Sequence, residues 1–260
     1  MIQIEQVRNF FPSYIYDNSN HRKYMIKEYI QLLILDYLSS SRYIKKIAFI
    51  GGTNLRLVQG IDRFSEDLDF DCKDLSEKEF FEMTGDIISF LRRSGYKIEI
   101  RNQKNSNLKA FRQNIYFPQL LFDIGLSGHR EERFLIKVES QDQKINYKKT
   151  MTNIKGCGFF FPFPVPPVEI LCSMKISAML SRQKGRDFYD VIFLLSQTNP
   201  DYDFLSKKMK IKNIKQLKSS VNKMLETVDL NQKTKDFEHL LFNKNNSKRI
   251  LHIKSFFEQF

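Results

Sequence analysis

Residues 46–71 read KIAFIGGTNLRLVQGIDRFSEDLDFD, and this stretch decides how the rest of the chain is understood. Ile47, Ala48, Phe49 and Ile50 form a short apolar run of the kind a buried strand needs. Gly51-Gly52 interrupts it, and Thr53 is placed to N-cap a helix through Asn54–Val58. A glycine turn entering a helix offers bare N–H groups and a positive dipole end, which suit a phosphate. Further on comes Asp67-Leu68-Asp69-Phe70. Strand alternation sends Asp67 and Asp69 to one face and Leu68 and Phe70 to the other. Two neighbouring carboxylates repel unless a cation lies between them. A hard divalent ion such as Mg²⁺ or Mn²⁺, with positions left open for phosphate oxygens, answers that requirement.

An apolar strand, Gly-Gly, a spacer and Asp-x-Asp together resemble the signature of the DNA polymerase β-like nucleotidyltransferases. The fuller string GGTNLRLVQGIDRFSEDLDFD resembles the AbiEii/AbiGii branch, the abortive-infection and toxin–antitoxin nucleotidyltransferases. That resemblance implies an α+β nucleotidyltransferase core with a mixed, twisted sheet, followed by a mainly helical C-terminal domain. It implies a third carboxylate on a later strand beside the Asp pair. Glu139, within IKVE, is the candidate, and Asp123, within LLFDIG, the runner-up. The element K175-x-x-A178 and the string RQKGRDFYD also resemble the family. By that likeness Lys175 touches the nucleotide phosphates, while Asp187 or Asp190 orients it or the substrate.

Composition sets the outer bounds. A chain of 260 residues with 42% hydrophobic content holds one large or two modest globular domains. A formal charge of +12 and a pI near 9.5 call for an acidic partner. No apolar run is long enough to span a membrane, and MIQIEQVRNF lacks the basic-then-apolar order of a secretory leader, so a cytoplasmic setting without membrane contact is expected. Cys72, Cys157 and Cys172 are scattered, which points to free thiols; the histidines are scattered too, which argues against zinc.

Residues 1–20 look irregular. Apolar residues from His21 to Leu38 recur at helical spacing. Ser76–Glu79 matches a capping box, opening a helix that Ser94-Gly95 stops. Strands are expected at Tyr96–Arg101, Lys109–Phe117, Gln119–Leu126 and Arg133–Ser140, with NQKNSN as a hairpin loop. Residues 141–165 read as a connection, because Pro162, Pro164, Pro166 and Pro167 exclude a central strand. A boundary near 160 divides the core, residues 1–160, from a helical domain, residues 161–260. Two helices are expected after the prolines, the first ended by Lys184-Gly185. Beyond Pro200 the chain is helical and lysine-rich, with Lys207, Lys208, Lys210, Lys212, Lys215, Lys218 and Lys223 leading. A one-sided excess of that kind serves a polynucleotide.

The combined reading is transfer of a nucleotide from an NTP. The Gly51, Gly52 and Thr53 amides hold the triphosphate; Asp67, Asp69 and Glu139 hold metal. Arg56, Arg63 and Lys175 offset phosphate charge, and Ser65 either bonds a phosphate or caps its turn. The resemblance further implies a toxin with a cognate antitoxin, and RNA, tRNA ends included, as an acceptor beside protein. A non-catalytic nucleic-acid- or partner-binding protein and a metal-dependent nuclease are the competing readings.

Overall fold

The computed structural model describes residues 3–100 and 110–260 and divides the chain into two compact units. The first comprises Met1–Gly60 and Phe64–Val165, the second Ile61–Arg63 and Pro166–Phe260. The NQKNSN loop, with Arg101 and Lys109, lies outside the described residues.

The first unit opens on two short helices, α1 (Ile4–Arg8) and α2 (Ser13–Tyr16), where the sequence suggested irregular chain. Both pack on α3 (Ser19–Ser39). Helix α3 is buried around much of its circumference, including Lys27 and Glu28, and is therefore a core helix rather than a one-sided surface helix. Its buried charges are paired, Lys27 with Glu66 at 3.2 Å and Glu28 with Arg56 at 2.8 Å.

The sheet follows: β1 (Ile47–Ile50), β2 (Asp67–Cys72), β3 (Glu99–Ile100), β4 (Phe111–Tyr116) and β5 (Leu135–Gln141). Its order is β1-β2-β5-β4-β3, with β2 and β5 parallel and the other neighbours antiparallel, which is the expected mixed sheet. Helix α4 (Gly51–Leu57) connects β1 to β2, and α5 (Glu77–Arg93) packs on α3 and β4. The capping box forms as read: Glu79 N–H donates to Ser76 Oγ at 3.2 Å, and Ser76 N–H to Glu79 Oε2 at 3.0 Å.

Two stretches differ from expectation. Gln119–Leu126 is not a strand; Leu120–Asp123 form α6, entered through a left-handed Gln119 with φ 59°. Leu120 and Leu121 are buried side by side, which one helical turn allows and a half-exposed strand does not. Residues 141–165 are not a plain connection either. Thr150–Gly156 (β6) and Phe159–Val165 (β7) form a two-stranded hairpin, so a division at 160 cuts through β7. Cys157 and Gly158, with φ of 47° and 84°, make its two-residue turn. Counted from that turn, Pro162 and Pro164 fall where β7 would point its N–H groups away from β6, so neither removes a bond from the hairpin.

The second unit is helical: α7 (Val168–Arg182), α8 (Gly185–Leu195), α9 (Tyr202–Met209), α10 (Ile214–Leu225), α11 (Leu230–Lys235) and α12 (Ile253–Gln259), with 3₁₀ turns before the last. Leu217, Val221, Met224, Ile250, Ile253 and Phe257 are its buried anchors. Among the described residues no helix is long and apolar enough to cross a membrane. Cys72, Cys157 and Cys172 are free and buried.

Two glycines give a test of this packing. A Cβ on Gly185, the first residue of α8, would lie 2.0 Å from the Lys233 carbonyl oxygen, a backbone atom that cannot swing aside. One on Gly85, exposed on α5, would meet nothing. Gly185→Ala is expected to destabilise the fold by about 2 kcal/mol or more. Gly85→Ala should stabilise it by about 0.5–1 kcal/mol. Urea denaturation of both variants measures the opposite signs.

Candidate active site

The site starts from register. Parallel pairing sets Asp67 against Lys137 and Asp69 against Glu139, while β4 sets Arg112 against Glu139. Directly opposed residues share a face, so Asp67, Asp69, Lys137, Glu139 and Arg112 stand together on one side of the sheet. The opposite side carries Leu68, Phe70, Ile136 and Val138, all at most 1% exposed. The sheet is thus pinned on its apolar face and charged on the other.

Around the acids the geometry is close. Gly51 has φ +82°, and a Cβ there would stand 2.0 Å from Asp69 Oδ2 and 2.7 Å from Asp69 Cβ. Only glycine permits this approach of the turn to the carboxylate. Thr53 is not the N-cap that the sequence suggested. It is the third residue of α4, fully buried, and its hydroxyl donates to the Asp67 carbonyl. Asn54 Nδ2 donates to the Phe49 carbonyl at 2.8 Å. These two bonds clamp α4 to β2 and β1. Gly52 sits between the clamp and the turn.

Arg56, expected at phosphates, makes a two-pronged pair with Glu28 at 2.8 and 3.1 Å. Ser65 is buried, and its carbonyl accepts from Gln31 Nε2 at 3.2 Å. Asp123, the runner-up third carboxylate, lies on α6 and is bonded by Lys97 at 3.4 Å; it is not on the acidic face. Glu139, paired in register with Asp69, stands on that face.

Sequence reasoning missed three residues here. Lys137 brings its Nζ to 3.3 Å from Asp67 Oδ2 and 3.9 Å from Glu139 Oε1, and Arg112 Nε lies 2.7 Å from the same Glu139 oxygen. Asp71 continues the Asp67–Asp69 alternation but is 6% exposed. It accepts from the Gln143 amide at 2.9 Å and from the Tyr147 hydroxyl. Burial pushes its carboxyl above the usual range, and the Tyr147 and Gln143 bonds work against that shift. The period-two pattern running on through Asp71 was the available signal. The same alternation put Lys137 on the Glu139 face, whereas Arg112 had no signal, because strand pairing is not written locally.

The remaining predicted residues lie in the second unit. Arg63 and Asp190, at 1% and 0% exposure, form a two-pronged pair with Nε–Oδ1 and Nη2–Oδ2 both 2.8 Å. Lys175 Nζ adds a contact of 2.9 Å to Asp190 Oδ2. Burial would raise the Asp190 carboxyl, but the Arg63 and Lys175 charges outweigh it and hold the group below its ordinary value. Beside this cluster, Tyr189 donates to Asp62 Oδ1 at 2.6 Å and Asn246 to Asp62 Oδ2 at 2.7 Å. Asp187 is fully buried and held by Arg182 at 2.8 and 2.6 Å. It also accepts from the Lys184 amide at 3.2 Å, at the start of α8.

The carboxylate oxygens of Asp67, Asp69 and Glu139 are the hard donors that Mg²⁺ or Mn²⁺ takes. The Lys137 ammonium between Asp67 and Glu139 marks where a cation is drawn. Among the described residues, no group of three or more His, Cys, Asp or Glu side chains stands ready to hold a metal. The donors match the ion in kind, but Arg112 and Lys137 pull Glu139 and Asp67 toward β4 and β5.

A mixed sheet with a glycine turn against an Asp-x-Asp strand agrees with the nucleotidyltransferase core that the sequence resemblance implied. The fold is similar to that of MenT4, a nucleotidyltransferase toxin from Mycobacterium tuberculosis, with TM-score 0.61, 16% identity, 100% of this chain covered and 91% of the other. It is also similar to JHP933 from Helicobacter pylori, with TM-score 0.53, 18% identity and coverage of 91% and 90%. No curated protein matches the chain by sequence. Residues 33–254 match the family described as nucleotidyl transferase AbiEii toxin, type IV toxin–antitoxin system, and the chain belongs to that family. The protein is a nucleotidyltransferase.

The buried cluster yields its own expectation. Asp190→Ala leaves Arg63 and Lys175 buried without their shared counter-ion and should cost about 3–5 kcal/mol at neutral pH. Because the folded Asp190 pKa is lowered, its contribution is complete above the ordinary value of 3.8 and is lost as pH falls through the lower folded value. Denaturation of wild type and variant should therefore converge in acid and diverge as pH rises through that range.

Proposed function

We propose that the acidic face of β2 and β5 transfers a nucleoside monophosphate from an NTP to a hydroxyl of an acceptor, the α-phosphorus bonding to the hydroxyl oxygen as its bond to the departing pyrophosphate breaks. The observation that carries this reading is the close approach of Gly51 to Asp69, with Glu139 beside Asp69 in register. It joins a glycine turn suited to phosphate with a carboxylate set suited to a divalent cation. Bound Mg²⁺ or Mn²⁺ supplies Lewis-acid charge to the triphosphate. Asp67 and Asp69 hold it, with Glu139 as the third carboxylate, which also positions the attacking hydroxyl and accepts its proton. The Gly51–Thr53 amides face the phosphates. Arg112 and Lys137 offset negative charge on the reacting oxygens. In the second unit the Lys175 ammonium is held by Asp190. Asp187 is a positioning residue that fixes the start of α8.

The acceptor in this reading is RNA, with a cognate antitoxin encoded nearby as the type IV family suggests. Lys207, Lys208, Lys210, Lys212, Lys215 and Lys223 are all exposed, which supports a phosphate-tracking surface on the second unit.

Incubation with labelled NTP, total RNA and total protein separates transfer from the alternatives: a labelled acceptor is expected, whereas shortened RNA marks a nuclease and no product a binding protein. Asp67→Asn and Asp69→Asn should each lower transfer by at least about a hundredfold while the protein stays folded. Full activity in either variant with Mg²⁺ present would sink the site.

Charge reversal of Lys207, Lys208, Lys210 and Lys212 to Glu should raise the KM for RNA and spare that for NTP. Wild-type affinity for RNA should fall about tenfold or more between low and physiological salt. Equal RNA binding by both proteins at every salt concentration would reduce the lysines to a solvated surface.

A further inference from the structure

We infer that Lys137 is a resident cation of the nucleotidyl-transfer site, which bare divalent metal must displace and the incoming triphosphate exploits. The inference rests on the site assigned above and concerns a residue with no role in it by sequence. Lys137 reaches Asp67 at 3.3 Å and Glu139 at 3.9 Å, so its ammonium stands between two of the three carboxylates proposed as metal ligands. The group formed by Asp67, Asp69, Glu139, Lys137 and Arg112 retains one net negative charge. Without Lys137 it would retain two. At 29% side-chain exposure the ammonium is neither locked in the core nor free in solvent, and it can move aside without unfolding the strand.

Two effects of opposite sign follow. A positive charge a few ångströms from the metal position weakens the binding of a bare divalent ion by direct repulsion. The same charge lowers the repulsion between the acidic face and a triphosphate, and once displaced from the carboxylates it has phosphate oxygens within its reach as partners. Lys137 thereby favours metal arriving with nucleotide over metal alone. A purely structural lysine would not separate the two: its loss would move both affinities the same way or neither.

The test measures Mn²⁺ binding by loss of the free-ion electron paramagnetic resonance signal. Binding of a non-hydrolysable NTP analogue at saturating Mn²⁺ is measured alongside. Lys137→Gln should tighten bare Mn²⁺ by about tenfold or more and weaken the analogue by a similar factor. Lys137→Arg, which keeps the charge, should stay near wild type in both. Lys137→Met retains the aliphatic stem and replaces the Gln variant if that one melts early. Both affinities falling, or neither moving, overturns the inference. The underlying site is checked separately by Asp67→Asn. Mn²⁺ binding lost in Asp67→Asn but unmoved in Lys137→Gln rejects only the role of Lys137. Equal Mn²⁺ binding by wild type and Asp67→Asn, with Lys137→Gln also unchanged, rejects the site and this inference together.

Discussion

The contact between the Gly51 α-carbon and the Asp69 carboxylate is the constraint from which the first unit is built. It demands glycine, and a positive φ, where β1 ends. It fixes the antiparallel register Ile50↔Asp69, and so decides which alternate residues of β2 face the core. A slip of one residue would turn Asp67 and Asp69 toward the core and expose Leu68 and Phe70. Thr53 and Asn54 reinforce the register from α4 by bonding backbone carbonyls of β2 and β1. The parallel neighbour β5 then inherits the same facing, which is how Glu139 comes to lie beside Asp69.

The charged groups of the two units obey different energetics. On the acidic face Lys137, Asp67 and Glu139 are about a quarter exposed, so their pairs contribute little to stability and can exchange partners readily. In the second unit Arg63, Asp190 and Lys175 are almost wholly dry, and leaving any one unpaired is expensive. The first arrangement suits a site that must admit ligands. The second suits a clasp, one that holds Ile61–Arg63 against the C-terminal helices together with Tyr189, Asn246 and the pairing of Arg63 with Leu241.

Most of the mixed sheet and the acidic pair were legible because their signals are local: an apolar run, a glycine pair, a capping box, strict alternation. What stayed hidden was long-range. Nothing near Lys137 or Arg112 announces that β5 lies between β2 and β4. Likewise Arg63 reads as one more basic residue until Asp190, distant in sequence, is found opposite it. Leu120-Leu121-Phe122 misled because a short apolar run does not distinguish a strand from one helical turn. The prolines of β7 misled in the other direction, since proline argues against a strand only where its N–H would have been used.

Those prolines have a consequence for how the molecule meets other chains. An exposed strand border is adhesive because its outward amides offer a ladder for any extended peptide. On β7 the outward amides at 162 and 164 do not exist, and the carbonyls left between them give an incoming strand only half of what it needs. The β7 border of the hairpin is therefore closed to zipper-like addition. A protein that recognises the hairpin along β7 must read side chains, the exposed Phe160 among them, instead of extending its backbone.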